Sequence, residues 1–380
     1  MMPDDATIEQ RRGDLLAWHD RQARDLPWRR QRSLYGTWIS EIMLQQTTVA
    51  TVAPRWARFL ELFPDVTALA AADEQDVLAA WSGLGYYRRA RLLHQAARQV
   101  AAEAQGQLPR TRDGWRRLPG IGDYTAGAIA SIGLGLAEPA IDANIRRVLT
   151  RWTCADPETA GALAPGDLRA LAARHLAPGR PGDWNEALMD LGAGPCPAGQ
   201  PHCAACPVHG TCAAGRAGKA ALVPPPDRKQ DVRPVLLSSL VLTCGDRFLA
   251  LPSADATVTR LAGLGRPRRA DLSGLFAGML SLPLTPWYGD TGEDADTEQA
   301  WAAWLRRRSG HGGVVAQRAG AYRHAITRFR LRVLVTRIHW PEEARPPVLD
   351  PLPVGAVWLA RGETAAPLSS LAAKALSLVK

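Results

Sequence analysis

Apolar residues recur at helical spacing from Thr7 to about Gly218, in a run rich in alanine, leucine and arginine, so this stretch predicts an all-α region. Prolines at 27, 54, 64, 109, 119 and 139 divide it into separate helices. From about Ala214 to Pro234 the pattern lapses into AGRAGKAALVPPPDRKQDVRP, whose glycine, proline and charge content is that of a linker. Beyond it the period changes. VLLSSLVLTCGDRFLAL, FRLRVLVTRIHW and VGAVWLA are strand-like, and helical runs are expected at 297–308 and 371–378, which makes the second half α+β. No internal repeat is present, and 253–269, uneven in composition, is expected to loop out.

The length, 380 residues, suffices for two or three domains with full cores. A net charge of +9, from 46 Lys+Arg against 37 Asp+Glu, points weakly to a polyanionic partner such as nucleic acid. The first ten residues, MMPDDATIEQ, carry acids and no apolar core, so neither a signal nor a transit peptide is expected. The longest apolar run, around 235–242, is strand-length and broken by Ser238 and Ser239, so no membrane span is expected. The expected setting is therefore the reducing cytoplasm, where clustered cysteines favour metal ligation over disulfides.

Four stretches carry candidate chemistry. In LPGIG, Gly120 and Gly122 allow positive φ and close approach, and the amides of such a turn before a helix suit a phosphate oxygen; a tight turn with no ligand is the alternative. Glu41 lies among Trp38, Ile39, Ile42, Met43 and Leu44, where burial would raise its pKa toward acid catalysis, unless it sits on a solvated face. Asp142 precedes a helical run at 144–152 and can be its N-cap or an ionised carboxylate. One carboxylate kept protonated beside one kept ionised is a pairing used to break glycosidic bonds. Cys196, Cys203, Cys206 and Cys212, spaced C-x6-C-x2-C-x5-C, suit zinc or a [4Fe–4S] cluster, with His202 and His209 keeping zinc open. Cys154 and Cys244 stand apart as expected buried thiols.

Taken together, SEIMLQQTTVATV, WSGLGYYRRAR, LPGIGDYTAGAIA, IDANIRRVL and WNEALMDLG followed by the cysteines resemble the MutY adenine DNA glycosylases of the endonuclease III superfamily, over residues 8 to 215 and in that family's order. The resemblance implies a [4Fe–4S] cluster on the four cysteines. It also implies a multidomain protein: a cluster domain at 1–30 and 141–216, a six-helix helix-hairpin-helix domain at 31–140, a linker at 217–233 and a Nudix-like domain at 234–380. Within the superfamily, endonuclease III has a lysine nucleophile where this chain has Tyr124, so hydrolysis without a lyase step is implied.

The same resemblance assigns roles to residues. Glu41 would protonate adenine N7, Asp142 would stabilise the sugar cation, and Tyr124 and Asn144 would support both. Arg29, in LPWR, and Glu186 would line the adenine pocket, and Gln46 and Tyr86 would fill the duplex once the base is extruded, a step that an acid acting on a stacked base requires. Arg88, Arg89 and Arg91 beside Tyr86 and Tyr87 would offer phosphate contacts or form a solvated basic helix.

The implied partner is duplex DNA with adenine opposite 8-oxoguanine or guanine, bound by a monomer. In the second half the likeness is weaker: Phe276 stands where tryptophan is usual, and Ile326, Thr327 and Arg328 stand where the family has Phe-Ser-His, leaving Thr327 as the hydrogen-bonding candidate. EQAWAAWLRRRSG lacks the glutamates of a magnesium-binding Nudix helix, so recognition without pyrophosphatase activity is expected. The rival classes are a redox-sensing DNA-binding regulator and a zinc-stabilised scaffold.

Overall fold

The computed structural model describes residues 3–154, 156, 158, 164–225, 233–252, 280–287, 296–310, 313–326, 329–341, 355–361 and 368–379. The chain divides into two compact units, 1–73 with 89–228 and 74–88 with 229–380. Phe276, Thr327 and Arg328 fall outside the described residues.

Helices build the first unit. In chain order the helices are α1 (Asp5–Gln22), α2 (Pro27–Arg30), α3 (Leu34–Leu44), α4 (Val49–Leu62), α5 (Val66–Ala71), α6 (Glu74–Ala80, in the second unit), α7 (Arg88–Ala104), α8 (Arg112–Arg116), α9 (Asp123–Ala128), α10 (Ala143–Thr153), α11 (Pro165–His175), α12 (Pro181–Ala193) and α13 (Ala213–Arg216). Polar caps start several of them where the sequence changes period. Asp4, Ser33, Asp65, Thr111 and Asp142 each accept from a backbone N–H of the helix they precede.

α3 is the centre of this unit, with every residue from Tyr35 to Met43 buried. Around it Trp38 meets Trp115 edge-on at 5.3 Å, and Trp56 donates its indole N–H to the Gly36 carbonyl at 3.0 Å. A second core joins α1, α10, α11 and α12 through Leu15, Leu149, Trp152, Leu171, Trp184 and Leu188. α9 continues as a π turn, Ile129–Gly133, where the Ser131 hydroxyl donates to Gly127 O at 2.8 Å. Backbones run close here: a Cβ on Gly182 would lie 2.9 Å from Ser131 O, and one on Gly127 would strike the Pro139 carbonyl.

The second unit carries a seven-stranded sheet of order β3-β2-β1-β6-β5, with β4 beside β1 and β7 beside β2. The strands are β1 (Arg233–Cys244), β2 (Arg247–Pro252), β3 (Leu280–Ser281), β4 (Leu284–Trp287), β5 (Ala316–Ile326), β6 (Phe329–Trp340) and β7 (Val357–Ala360). β1 and β6 are parallel over their whole length, while β5 and β6 form an antiparallel hairpin. α14 (Thr297–Ser309) covers one face through Trp301, Trp304 and Leu305, packed on Leu240, Leu242, Ile338 and Trp340. α15 (Ser370–Ser377) covers the other through Leu371, Ala372 and Ala375. The serines that break the apolar run of β1 are both buried, and Ser238 accepts the Trp301 indole N–H at 2.8 Å. No helix among the described residues is long and apolar enough to cross a membrane.

Because a Cβ on Gly127 would meet the Pro139 carbonyl, a backbone group, Gly127→Ala is expected to cost about 1–3 kcal/mol despite alanine's higher helix propensity. A chemical denaturation midpoint no lower than that of the parent would refute this close contact.

Candidate active site

Glu41 is carried by the buried α3, and its Oε2 is buried with no hydrogen-bond partner among the described residues. Burial pushes its pKa up from 4.5 to about 7; the Tyr124 hydroxyl opposes this by hydrogen bonding, while the charges of Glu186 and Asp142 add to it. Tyr124, in the first turn of α9, donates its hydroxyl to Met189 Sδ at 3.7 Å, and burial beside these carboxylates raises its own pKa. The sequence's two readings of Glu41 are thus decided in favour of burial.

Asp142 is the N-cap of α10. Its Oδ1 accepts from Ile145 N at 2.7 Å at the start of α10, and its Oδ2 accepts from Asn144 Nδ2 at 3.1 Å. Asn144 is held in turn by Arg147, which donates to Asn144 Oδ1 at 3.0 Å, to Gly192 O at 2.8 Å and to Cys196 O at 3.0 Å. A single hydrogen-bonded run therefore joins the first cysteine's backbone to Asp142.

Arg29 and Glu186 meet, at 2.9 Å, inside a larger ionic network. Arg29 also holds Asp190 at 2.7 Å, Arg24 binds the same carboxylate at 2.6 Å, and Arg32 reaches Glu186 at 2.5 Å and Asp183 at 3.1 Å. Burial would raise the Asp190 pKa, but Arg29 and Arg24 outweigh it and hold the group low. His19 lies 3.7 Å from Asp190, and burial keeps its pKa below the usual value. Asp190, Arg24 and Arg147 were not singled out from the sequence, whereas Arg29 was. The signal available was Asp190 four residues after Glu186 on α12, and Arg147 three after Asn144 on α10, spacings that place each pair on one helix face.

The glycine hairpin needs a correction. Gly120 has φ +78, as a tight turn requires, but Gly122 is extended at φ −90 and simply precedes α9, with open space where a Cβ would stand. Arg89 needs another. It is buried as neither a phosphate contact nor a solvated side chain, and donates to the carbonyls of Ile42 at 3.0 Å, Met43 at 2.8 Å and Gln45, and to Thr47 Oγ1 at 2.9 Å, so it caps the C-terminus of α3. Gln46, in the turn it fixes, has φ +55. Tyr86 has φ +48 and is 45% exposed. Among the described residues Gln105 is the one other non-glycine with positive φ, so two of the three strained positions are the two expected to enter the duplex.

The four cysteines gather on the lobe built by α10 and α12. Cys196 and Cys212 are buried in its core, and Cys203 and Cys206 pack against it. Among the described residues no three His, Cys, Asp or Glu side chains are arranged to hold a metal ion as they stand. Their surroundings nonetheless suit thiolate ligands. Burial raises the Cys206 thiol to about 12, and each of the other three thiols adds to the rise, a penalty that a bound cation would offset. Arg151 Nη1 lies 3.1 Å from Cys196 Sγ, and Gly215 N donates to Cys212 Sγ at 3.4 Å. Arg151 further ties the loop through Pro197 O at 2.8 Å and Val223 O at 2.6 Å, and Arg11 through Thr211 O at 2.5 Å.

Residues 39–164 match the HhH-GPD superfamily base excision DNA repair protein family. The chain is 43% identical over 220 residues to adenine DNA glycosylase of Homo sapiens, an alignment that covers 56% of this chain and 40% of that protein. It is also 43% identical over 205 residues to adenine DNA glycosylase of Mycolicibacterium smegmatis, covering 51% of this chain and 66% of that one. The chain thus spans less than half the length of the human relative it matches. A thermostable thymine-DNA glycosylase of known structure superposes with TM-score 0.52 at 28% identity, over 56% of this chain and 99% of the other. The helical unit thus carries a domain of the HhH-GPD superfamily of base excision DNA repair proteins, and over that unit the chain is similar to the adenine DNA glycosylases.

Proposed function

We propose that the protein is a monofunctional DNA glycosylase that hydrolyses the N-glycosidic bond of adenine mispaired with 8-oxoguanine or guanine in duplex DNA. The observation that carries this reading is Glu41, a buried carboxyl with an unpartnered oxygen and a pKa near 7, set within electrostatic reach of the capped carboxylate Asp142. A group poised near neutral pH can give up a proton to a heterocyclic nitrogen and so turn a poor anionic leaving group into a neutral base. Asp142, its two oxygens fixed by the hydrogen bonds they accept, would face the positive charge that develops on the sugar. Tyr124 separates these groups from a lyase route, because its phenol offers no amine for a Schiff base. Adenine as the base rests on the names of the relatives and on the sequence resemblance.

Arg29, Glu186 and Asp190 form the fixed polar wall against which an extruded base would be held, and Gln46 and Tyr86 would occupy the vacated stack. The cysteine loop fits four thiolate ligands, and a [4Fe–4S] cluster there would cross-link the loop that Arg147 and Arg151 fasten to α10. The second unit is proposed as a Nudix-like domain facing the base opposite adenine.

Glu41→Gln is expected to lower single-turnover adenine release on a duplex with adenine opposite 8-oxoguanine by on the order of 10²–10⁴-fold while mispair binding persists. Asp142→Asn should lose activity comparably at nearly unchanged thermal stability, since asparagine caps a helix as well as aspartate. In the parent the rate should fall as pH rises above about 7. Retained turnover in Glu41→Gln would sink the assignment of the acid.

The raised pKa also has a sign for stability. The folded protein holds a proton on Glu41 between its usual 4.5 and about 7 that the unfolded chain releases, so this group's contribution is present below pH 4.5 and is lost as pH rises through 7. Glu41→Gln should therefore gain stability relative to the parent as pH increases, by up to roughly 3 kcal/mol at pH 8. Parallel urea denaturation curves with a pH-independent difference would contradict this.

Anaerobically purified protein is expected to absorb in the visible and to carry about four irons per chain. Colourless protein with one zinc would instead support a tetrahedral site.

A further inference from the structure

On one side of the sheet in the second unit, the cover given by α15 stops short of the strand ends. Arg337 on β6 pairs with Val241 of β1 and Gln317 of β5, and His339 pairs with Thr243. Paired residues share a face, as do alternate residues of one strand. Val241 packs in the core that α15 closes, so Thr243, Gln317, Arg337 and His339 all stand on that side. Past the end of α15 these four line a cavity of about 530 Å³, with Val379 as one wall. Asp246, in the β1–β2 turn, and Arg361, just after β7, complete it, and Arg361 N donates to Asp246 O at 2.9 Å. The cavity lies roughly 33 Å along β6 from Phe329, which pairs with Ile326 at the β5–β6 turn.

Two guanidinium groups and an imidazole line this space, set against one carboxylate, that of Asp246. Arg337 Nη2 donates to Gln317 Oε1 at 2.7 Å, a neutral acceptor that orients the fork and leaves its charge uncompensated. The Arg361 guanidinium makes no hydrogen bond or ion pair among the described residues. Arg318 of the same unit, by contrast, is drawn onto Glu298 at 2.6 Å. His339 Nδ1 lies 3.0 Å from Thr243 Oγ1, which fixes the ring.

Arginine forks match phosphate oxygens bidentately. The cavity's volume lies in the range of small-molecule sites and is too small for a duplex. Asp246 would repel a run of phosphates but can accept from a hydroxyl group. Val315, 68% exposed, and the buried Val379 add apolar surface. We infer that this cavity is a site for the phosphate group of a small molecule, held by Arg337, His339 and Arg361. The inference stands independently of the proposed function, since it uses no residue of the helical unit.

The test is calorimetric titration of the full chain with ribose 5-phosphate, with ribose and inorganic phosphate as separate arms. Ribose 5-phosphate carries no base, so a base pocket in the helical unit does not compete. One saturable site with a Kd of about 1 mM or tighter is expected for the ester, and none for ribose. Tighter binding of the ester than of inorganic phosphate identifies an organic phosphate as the occupant, and equal binding identifies the free ion. Arg337→Gln combined with Arg361→Gln should weaken binding at least about 10-fold, and lysine at both positions should weaken it less. Arg361→Gln alone alters an exposed side chain without a partner and should weaken binding about 5-fold, which keeps the test readable if the double variant folds poorly. A folded parent with no saturable phosphate binding overturns the inference. So does an affinity unchanged in the double variant, or displacement of the ester by a duplex with no mispair. Adenine release is scored in parallel and bears on the proposed function alone.

Discussion

The burial of the Glu41 carboxyl is the constraint around which the helical unit is arranged. An acid enclosed in protein with an oxygen left unpartnered costs stability, and the fold sustains it only because α3 cannot move aside. Aromatic rings pack edge-on about that helix, Ser33 caps its start, and the Arg89 guanidinium gathers the carbonyls at its end. The strained turn at Gln46 follows directly from that last interaction, so the geometry of the acid and the geometry of the next loop are set by the same buried cation.

Much of the positive charge in this chain is turned inward. Arg11, Arg89 and Arg151 are buried and spend their donors largely on backbone carbonyls, while Arg29 is consumed by two carboxylates. Net charge therefore overstates what the surface offers to a polyanion. It also changes what these residues do: each substitutes for secondary-structure hydrogen bonding in a loop or at a helix end, which lets irregular segments such as the cysteine loop be held firmly without a hydrophobic core of their own. Arginine's planar fork suits that use better than lysine would.

The helical unit was legible from the sequence because its periodicity and its caps agree. Buried Glu41, the capping Asp142 and the hairpin stand out from the residues, and α10 and, in the second unit, α14 and α15 fall within a residue or two of their expected bounds. What was missed depends on contacts or backbone conformation that the local residue pattern does not encode. Nothing local in RRAR distinguishes Arg89, which reaches back more than forty residues to α3, from its solvated neighbours. Gly122 resembles Gly120 in the sequence, yet backbone conformation separates them. β5 escaped because AQRAGAYRHAI has no apolar alternation; one of its faces is small and charged, and a strand is recognisable there only through its pairing with β6. The π turn in α9 likewise answers to the close approach of α12 rather than to its own residues.

The hydrogen bonds between Arg11 and Thr211 span 200 residues. The first helix of the helical unit is therefore completed by one of its last loops, and at typical rates of synthesis roughly 10–40 s separates the appearance of the two on the ribosome. Until then Arg11 lacks its last partner and Leu15 a complete second core. Within the helical unit α1 is thus an element with a long wait for burial, and there a chaperone has time to act.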